Sequence, residues 1–309
     1  MAVSMESFAE LFDANFASIK DEMYNMLPRE ADQYMRMENM TKAFHKETYV
    51  GQLGVPRKNE DYQDIPMDTF SKGFPSVFVP VTYRLGYIID KKSIEDEQWG
   101  ILASRPQSLL RGTILIKDLV CSNILNNGTT SMSYDVGGTP LFSTAHARED
   151  GQATWSNRIA SDQPITVETL FNAIASLLEL MEDSRGFPIN YQGTINLYVP
   201  KINAELWEQA TSVVKSTFNP DTANNRINAV ISEFNIQVKP LRFLTNPNHW
   251  FLGWDINSPG YGLVCYDRVA PEISQLKPFS DNDDVFYAKM RMRFTAGYTN
   301  SRGVAQVGA

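Results

Sequence analysis

The sequence predicts an α+β fold, in which helices and antiparallel strands occupy separate runs of the chain. Two observations lead to this prediction. Apolar residues spaced three and four apart dominate residues 4–27, 94–125, 166–181 and 204–217, whereas β-prone residues fill several of the stretches between them. Hydrophobic residues make up 43% of the 309 positions, so the chain is expected to bury a substantial core.

The first predicted element is an amphipathic helix over residues 4–27. Its apolar stripe is strongly aromatic, ends before Pro28, and consists of Phe8, Leu11, Phe12, Phe16, Ile19, Met23 and Leu27. The stripe fits two interpretations. The helix packs on the core of its own chain, or it is an arm that buries the stripe on a neighbouring subunit.

Two β-prone runs then flank a long polar stretch. Residues 42–54 and 77–89 are predicted strands, whereas residues 55–74 have neither periodicity nor enough apolar side chains to fold on themselves. Loops longer than about 12–15 residues are uncommon and are usually functional or disordered. The economical prediction is an extended hairpin that projects from the body of the protein.

A long helical pattern covers residues 94–125, with Ser93 as the predicted N-cap. Pro106 lies within this pattern, so the sequence predicts a short helix, a kink or break near Arg105 and then a long helix. Asn127-Gly128 is a stop signal. The remaining predicted elements are helices at residues 166–181 and 204–217 and strands at residues 194–199, 229–244, 250–252, 262–266 and 285–297.

Composition excludes several functional classes. The 28 basic and 36 acidic residues leave a net charge of −8, without the surplus of Lys and Arg that a dedicated duplex-binding protein needs. The N-terminus resembles no signal peptide, and no apolar run of about 18 residues could span a membrane. Cys121 and Cys265 are too few and too isolated for a disulfide framework or a thiolate metal site, and they fit small core hydrophobes in a reducing, intracellular setting.

The sequence offers little catalytic chemistry. His45, His146 and His249 match no metal-ligand spacing, and the sequence contains neither a Gly-x-Ser-x-Gly elbow nor a phosphate-binding glycine loop. We therefore predict a protein with no enzymatic activity, no cofactor and no metal site. One alternative stays open, an intracellular hydrolase that uses Cys265, for instance with His249, or His146.

Several local motifs follow one another along nearly the whole chain. They are LGYII at residues 85–89, GTPLFSTAH at 138–146 with Ser156-Asn157 after it, RGFPI at 185–189 with Tyr198-Val199-Pro200 after it, NPNHWFL at 246–252, Tyr266-Asp267-Arg268, and RFTAGY at 293–298 with Arg302-Gly303 after it. In this order they resemble the major capsid proteins of tailed bacteriophages, which share the Johnson fold, or Hong Kong-phage capsid fold. Gly137-Gly138 stands where that family usually has Asp-Gly.

The resemblance implies a division of the chain into five segments. These are an N-terminal arm over residues 1–41, an E-loop hairpin over 42–90, a peripheral (P) domain with a long spine helix over 91–163, an axial (A) domain over 164–245, and return strands to the P domain over 246–309. It also implies a head protein that self-assembles into pentamers and hexamers around the A-domain tips. The resulting icosahedral shell would enclose double-stranded phage DNA.

In such a shell the E-loop lies across the adjacent subunit and the N-arm ties capsomers together. The candidate inter-subunit contacts are therefore aromatic residues of the arm and charged or aromatic residues of the hairpin, namely Phe8, Phe12, Phe16, Arg57, Lys58, Glu60, Asp61, Tyr62, Asp64, Phe70, Lys72 and Phe74.

The resemblance also implies the partners and the location. The expected partners are further copies of the chain, a scaffolding protein during assembly, a portal, cement or decoration proteins, and packaged DNA through weak non-specific contacts, with no membrane. The expected location is the virion, after assembly in the host cytoplasm. The nearest alternative is an encapsulin-like nanocompartment shell of the same fold.

Overall fold

A computed structural model describes most of the chain after residue 28. The residues it describes are 29–50, 53–56, 58, 64–65, 67–70, 72–96, 99–130, 140–148, 151, 154–180, 186, 193–217, 228, 230, 233–257, 261–274, 277–279 and 282–308. The predicted helix over residues 4–27 therefore lies outside the described residues.

The described residues form an α+β structure, which confirms the predicted class. In chain order the strands are β1 (Arg36–Asn39), β2 (His45–Val50), β3 (Lys72–Phe78), β4 (Val81–Asp90), β5 (His146–Ala147), β6 (Thr154–Trp155), β7 (Arg158–Ile159), β8 (Ile195–Pro200), β9 (Ile236–Leu241), β10 (Trp250–Gly253), β11 (Leu263–Ile273), β12 (Lys277–Phe279), β13 (Asn282–Tyr298) and β14 (Val304–Val307). The helices are α1 (Lys91–Glu95), α2 (Trp99–Asn126), α3 (Val167–Leu180) and α4 (Ala204–Lys215), and a 3-10 turn spans Ala31–Gln33.

The long strand β13 organises the first sheet. It pairs antiparallel with β4 along one edge and with β11 and β12 along the other, and β1 adds to β11 in parallel. Successive side chains of a strand point to opposite faces. Met290, Met292 and Phe294 are buried on one face, whereas Lys289 and Arg291 are exposed on the other. The strand predicted at residues 285–297 is confirmed.

Helix α2 covers the apolar face of this sheet. Its 28 residues correspond to a length of about 42 Å. A break near Arg105 is wrong, because α2 continues through Pro106, whereas a kink at this point stays a prediction. The one backbone hydrogen bond that proline removes is offset by packing of the apolar face, whose buried residues are Leu109, Leu110, Ile114, Cys121, Ile124 and Leu125.

The end of α2 follows the prediction. The helix stops at Asn126, and the chain turns at Gly128. A Cβ at Gly128 would lie 2.4 Å from Phe142 Cδ2, so glycine is required there by the close approach of the aromatic ring.

Three other predicted boundaries are wrong. Ser93 lies inside α1, because this helix begins at Lys91 as soon as β4 has ended. The strand predicted over residues 229–244 is limited to β9, since Val230 has helical geometry. Strand β11 runs well beyond the predicted residues 262–266, because β-bulges after Asp267 let its pairing with β13 continue.

The second sheet has the strand order β7-β14-β10-β8-β9. Strand β8 is buried on both faces, as its apolar run predicted. Leu197 and Val199 pack in a cluster with residues of α3 and α4, whereas Tyr198 faces the cluster beneath α2. The helices predicted at residues 166–181 and 204–217 are confirmed as α3 and α4.

Each of the two sheets combines strands from more than one of the five segments that the resemblance implies. Strands β8 and β9 come from residues 164–245, but β7 comes from 91–163 and β10 and β14 come from 246–309. The last segment thus supplies strands to both sheets, because β11, β12 and β13 join the first. The five segments stay predictions as domain limits.

Candidate assembly surface

Strands β2 and β3 form a hairpin that makes a two-stranded sheet of its own. Their antiparallel register runs from His45 opposite Phe78 to Val50 opposite Lys72. A hairpin is present, but its predicted second strand at residues 77–89 is wrong, because the partner of β2 ends at Phe78 and residues 81–90 form β4, which pairs with β13. The second strand of the hairpin starts at Lys72, which is inside the stretch predicted to be irregular.

The hairpin presents apolar side chains to solvent. Met67 is 89% exposed, Ile65 is 73% exposed and Phe70 is 64% exposed. A single exposed apolar residue is ordinary, but a concentration of them marks an interaction surface. We name seven of these exposed side chains the hairpin apolar set: Phe44, Val50, Leu53, Val55, Ile65, Met67 and Phe70.

The structure brings part of the predicted contact set together on this hairpin. Lys58, Asp64 and Phe70 are exposed, and Lys72 and Phe74 lie in β3. Seven predicted contacts lie outside the described residues, namely Arg57, Glu60, Asp61 and Tyr62 of the hairpin and Phe8, Phe12 and Phe16 of the arm. Sequence reasoning missed Ile65 and Met67, because it weighed only the charged and aromatic side chains of a predominantly polar stretch.

Aromatic packing fixes the base of the hairpin to the body. Phe78 is fully buried on the face of the first sheet opposite α2, which we name the outer face. The rings of Phe78 and Tyr266 pack edge to face with centroids 4.9 Å apart. A Cβ at Gly297 would lie 2.8 Å from Phe78 Cε1, so the ring occupies the space that a larger residue would need.

Polar contacts complete this anchor. The Tyr266 hydroxyl donates to Glu47 Oε2 at 2.6 Å, and the His45 ring lies 4.8 Å from the Tyr266 ring. Burial, and then the hydrogen bond and charge of Glu47, raise the pKa of the Tyr266 hydroxyl, so it remains a donor at neutral pH. The hairpin is therefore held at its base, whereas its apolar set is uncovered.

The outer face also carries a row of cations, which we name the cation strip. It consists of Arg84 on β4 and Lys289, Arg291 and Arg293 on β13. Arg84 and Arg291 stand directly opposite each other, an arrangement that is destabilising for like charges, whereas Glu272 of β11 stands opposite Arg291 on its other side. Neither arginine forms an ion pair with another described residue. An anionic partner would stabilise this arrangement.

The root of the predicted arm is held in the body by buried hydrogen bonds. Asp118 of α2 accepts from the backbone N–H of Ala31 at 2.9 Å, and the Tyr34 hydroxyl pairs with Ser122 Oγ at 2.9 Å. The Tyr261 hydroxyl donates to the carbonyl of Tyr34 at 2.6 Å. Burial raises the pKa of the Asp118 carboxyl, although backbone N–H groups that donate to it act in the opposite direction.

The residues around His146 form a buried structural network. Asn157 Oδ1 accepts from the Ser143 N–H at 3.0 Å and lies 2.9 Å from His146 Nε2. The Asn157 amide nitrogen donates to three carbonyls, those of Leu141, Ser301 and Val304. The His146 ring stacks on Trp155 with centroids 4.4 Å apart. The motif at residues 138–146 thus meets, at one asparagine, the two residues that flank Arg302-Gly303.

The structure gives both members of the Cys265–His249 pair other partners, so that pairing is wrong. His249 Nδ1 is hydrogen-bonded to Gln306 Nε2 and His249 Nε2 to Asn246 Nδ2, each at 2.9 Å. Cys265 is fully buried, and its thiol contacts Cys121. Among the described residues, no group of three or more His, Cys, Asp or Glu side chains is placed to hold a metal ion, and no helix could span a membrane.

A family model described as "Phage capsid protein" matches residues 75–307. The chain belongs to this phage capsid protein family. The matched range starts within β3, so most of the hairpin precedes it. Among curated proteins, none matches this chain significantly.

Solved structures share the fold of the capsid protein at low sequence identity. A chain of Mycobacterium phage Patience is 13% identical with a TM-score of 0.56, covering 99% of this chain and 88% of that one. A chain of the procapsid of bacteriophage JBD30 is 13% identical with a TM-score of 0.54, and the match covers 98% of this chain and 75% of that one. A chain of the capsid of a native GTA particle is 10% identical with a TM-score of 0.53, and the match covers 91% of each chain. The predicted Hong Kong-phage capsid fold is confirmed, and the protein is a major capsid protein, a shell subunit.

Proposed function

We propose that this capsid protein assembles into pentamers and hexamers of an icosahedral head that encloses double-stranded DNA. The observation that carries the proposal is the contrast within the hairpin, whose base is buried on the sheet whereas its apolar set is exposed. Burying apolar surface is worth about 25 cal/mol per Å². A neighbouring subunit that covers the seven side chains would therefore contribute binding energy to every contact of the shell.

We place the hairpin of one subunit across the cation strip of its neighbour. Between residues 59 and 70 the hairpin contains Glu60, Asp61, Asp64 and Asp68 and no basic residue. This run is complementary in charge to Arg84, Lys289, Arg291 and Arg293. Exposed ion pairs are individually worth about 0–1 kcal/mol, so the apolar set supplies affinity and the charges favour one register.

The remaining parts of the proposal follow the family. The arm ties capsomers together, and the five predicted segments serve as arm, E-loop, P domain, A domain and return strands. The role is structural and non-enzymatic. Scaffolding, portal and cement or decoration proteins act as partners, and assembly takes place in the host cytoplasm. The net charge of −8 suits a container that holds DNA through weak contacts.

Polar substitution of the apolar set tests the proposal. We expect Met67→Ser combined with Phe70→Ser to leave free subunits or capsomers, because the covered surface becomes polar. The matched control is Met67→Leu combined with Phe70→Leu, which keeps the apolar area and should still close shells. Sedimentation velocity and negative-stain microscopy of the purified full chain give the readout. Normal shells from the serine variant would refute the role of the hairpin.

Charge reversal tests where the hairpin lies. We expect Arg291→Glu to weaken assembly at low salt and Asp64→Lys in the same chain to restore part of it, since the swap recreates opposite charges. Lys201→Glu, at an exposed turn after β8, changes the net charge equally and should assemble normally. If Arg291→Glu forms normal empty shells and alters only the salt dependence of DNA retention, the strip contacts DNA and the placement on the neighbour is wrong.

A further inference from the structure

The fold brings the two cysteines of the chain into contact. Cys121 on α2 and Cys265 on β11 are both fully buried members of one hydrophobic cluster, and their thiols hydrogen-bond to each other. The sequence-based expectation that they are isolated is therefore wrong. Residues this far apart in sequence meet only because α2 lies across the sheet.

An independent contact fixes the same alignment of helix and strand. Lys117 Nζ donates to Asp267 Oδ2 at 2.6 Å. Cys121 is one helical turn beyond Lys117, about 6 Å along the helix, and residues i and i+4 share a helix face. Cys265 is two positions before Asp267, about 6.6 Å along the strand on the same face. The two steps match in length, so the ion pair places Cys121 opposite Cys265.

We propose that Cys121 and Cys265 form an intrasubunit disulfide that staples α2 to β11 when the protein meets a small disulfide oxidant. One cysteine thiolate attacks a sulfur of the oxidant, forms a mixed disulfide and expels one small thiolate. The second cysteine thiolate then attacks the protein sulfur of the mixed disulfide and expels the other. The two cysteines are oxidised, the oxidant is reduced to two thiols, and these take up the two cysteine protons.

Burial controls when the bond forms. The hydrogen bond that the Cys121 thiol donates to Cys265, followed by burial, raises the pKa of the Cys121 thiol, so little thiolate exists while the core is closed. Reaction therefore waits for α2 to open from β11. A reducing cytoplasm keeps the pair reduced, and an oxidising medium closes it. The expectation that oxidation follows release from the host rests on the proposed function. The formation of the bond itself does not depend on that function.

Oxidation of the purified full chain, as free subunits and as shells, tests the proposal with 2-hydroxyethyl disulfide as the oxidant. We expect the intact mass to fall by about 2 Da, the loss of two hydrogens, and digestion to yield a peptide that links Cys121 to Cys265. The midpoint of thermal unfolding should rise by about 5–10 °C, because a long loop is closed, and a reductant should reverse both changes.

Cys121→Ser and Cys265→Ser each leave one thiol and should show neither change. If a serine variant folds poorly, the comparison of reduced and oxidised wild-type protein still decides the question. A mixed disulfide that never closes, a covalent dimer, or two thiols that stay reduced after refolding with the oxidant would overturn the proposal. None of these results affects shell assembly through the hairpin, so the two proposals fail separately.

Discussion

At the scale of single residues, a buried asparagine joins three distant parts of the capsid protein. Asn157 is fully buried, and each polar atom of its amide has partners. The sequence motifs contain Asn157, but its partners could not be predicted, because they lie in loops that periodicity does not position. The resemblance to known capsid proteins singled out the motif that contains Asn157. The structure shows what this residue does, which is to hydrogen-bond several loops together.

We predict that Asn157→Ala lowers the free energy of unfolding by about 2–4 kcal/mol, because a buried N–H and several carbonyls lose their partners. Chemical denaturation of the free subunit measures this loss. Asn203→Ala is the matched control, since Asn203 caps α4 at a half-buried position by accepting from the Leu206 N–H, and it should cost about 1 kcal/mol. Equal losses for the two variants would contradict the structural role of Asn157.

Asp118 makes the stability of the arm root dependent on pH. Its carboxyl has a pKa raised above the ordinary value of 3.8, chiefly by burial, with Asp32 raising it further and Lys117 lowering it. The folded chain therefore holds the proton at higher pH than the unfolded chain does. The contribution of this group to stability is fully present below pH 3.8 and is lost as the pH rises through the folded pKa.

We predict that Asp118→Asn gains stability relative to the wild type as the pH rises through this range, because the amide keeps an acceptor for the Ala31 N–H and carries no charge. Asp118→Ala should lose about 1–3 kcal/mol at every pH, since buried backbone donors are left unpaired. Chemical denaturation at a series of pH values measures both. Parallel curves for the wild type and Asp118→Asn would show that the carboxyl does not titrate differently in the folded state.

At the scale of elements, the spacing of apolar residues correctly predicted the helices and strands whose buried faces depend on local sequence. The apolar faces of α2, α3 and α4 and the alternation of β13 follow from spacing alone. Errors arose where tertiary packing overrides a local signal, as in α2, which continues through Pro106 and packs on the sheet from Leu109 onward. The hairpin was predicted from two β-prone runs, but its anchor was not, because Phe78, Tyr266 and Gly297 meet only after the sheet has formed.

Two glycine substitutions test this difference between local and tertiary effects. We predict that Gly297→Ala destabilises the fold by about 1–3 kcal/mol, because the new Cβ would clash with the buried Phe78 ring. Gly112→Ala should stabilise it by about 0.5–1 kcal/mol, since alanine favours the helix and the nearest atom, Leu85 Cδ2, is at an ordinary 3.5 Å.

Thermal unfolding of the two variants and hydrogen exchange across β2 and β3 provide the measurements. Exchange in the hairpin strands should rise for Gly297→Ala and stay unchanged for Gly112→Ala. Unchanged hairpin exchange in Gly297→Ala would mean that Phe78 does not hold the base of the hairpin.

At the scale of the whole molecule, one core connects both sheets. The cluster beneath α2 contains Tyr198 and Phe251 of the second sheet together with Met290 and Phe294 of the first. Strand order could not be read from the sequence, because each sheet combines strands from distant segments. The alternation of β13 predicts that Lys289, Arg291 and Arg293 share one side of the strand. Arg84 could not be added to them from the sequence, since it becomes a neighbour of Arg291 only through the pairing of β4 with β13.

The whole molecule also offers a test between the two interpretations of the aromatic stripe at residues 4–27. The root of the arm has its own anchorage, because Ala31, Tyr34 and Met35 are buried and hydrogen bonds to α2 hold the turn. We therefore predict that deletion of residues 1–28 leaves a folded subunit whose unfolding midpoint is close to that of the full chain. The same subunit should fail to close shells, because the stripe would no longer reach a neighbour.

Circular dichroism melts report the folding of the truncated chain, and negative-stain microscopy reports closure. A full-length control with Phe8→Ser, Phe12→Ser and Phe16→Ser keeps the chain length and should reproduce the defect in closure without loss of fold. An unfolded truncated chain would show that the stripe belongs to the core of its own subunit. Closed shells from a folded truncated chain would show that neither interpretation holds, and that the hairpin and the cation strip suffice for assembly.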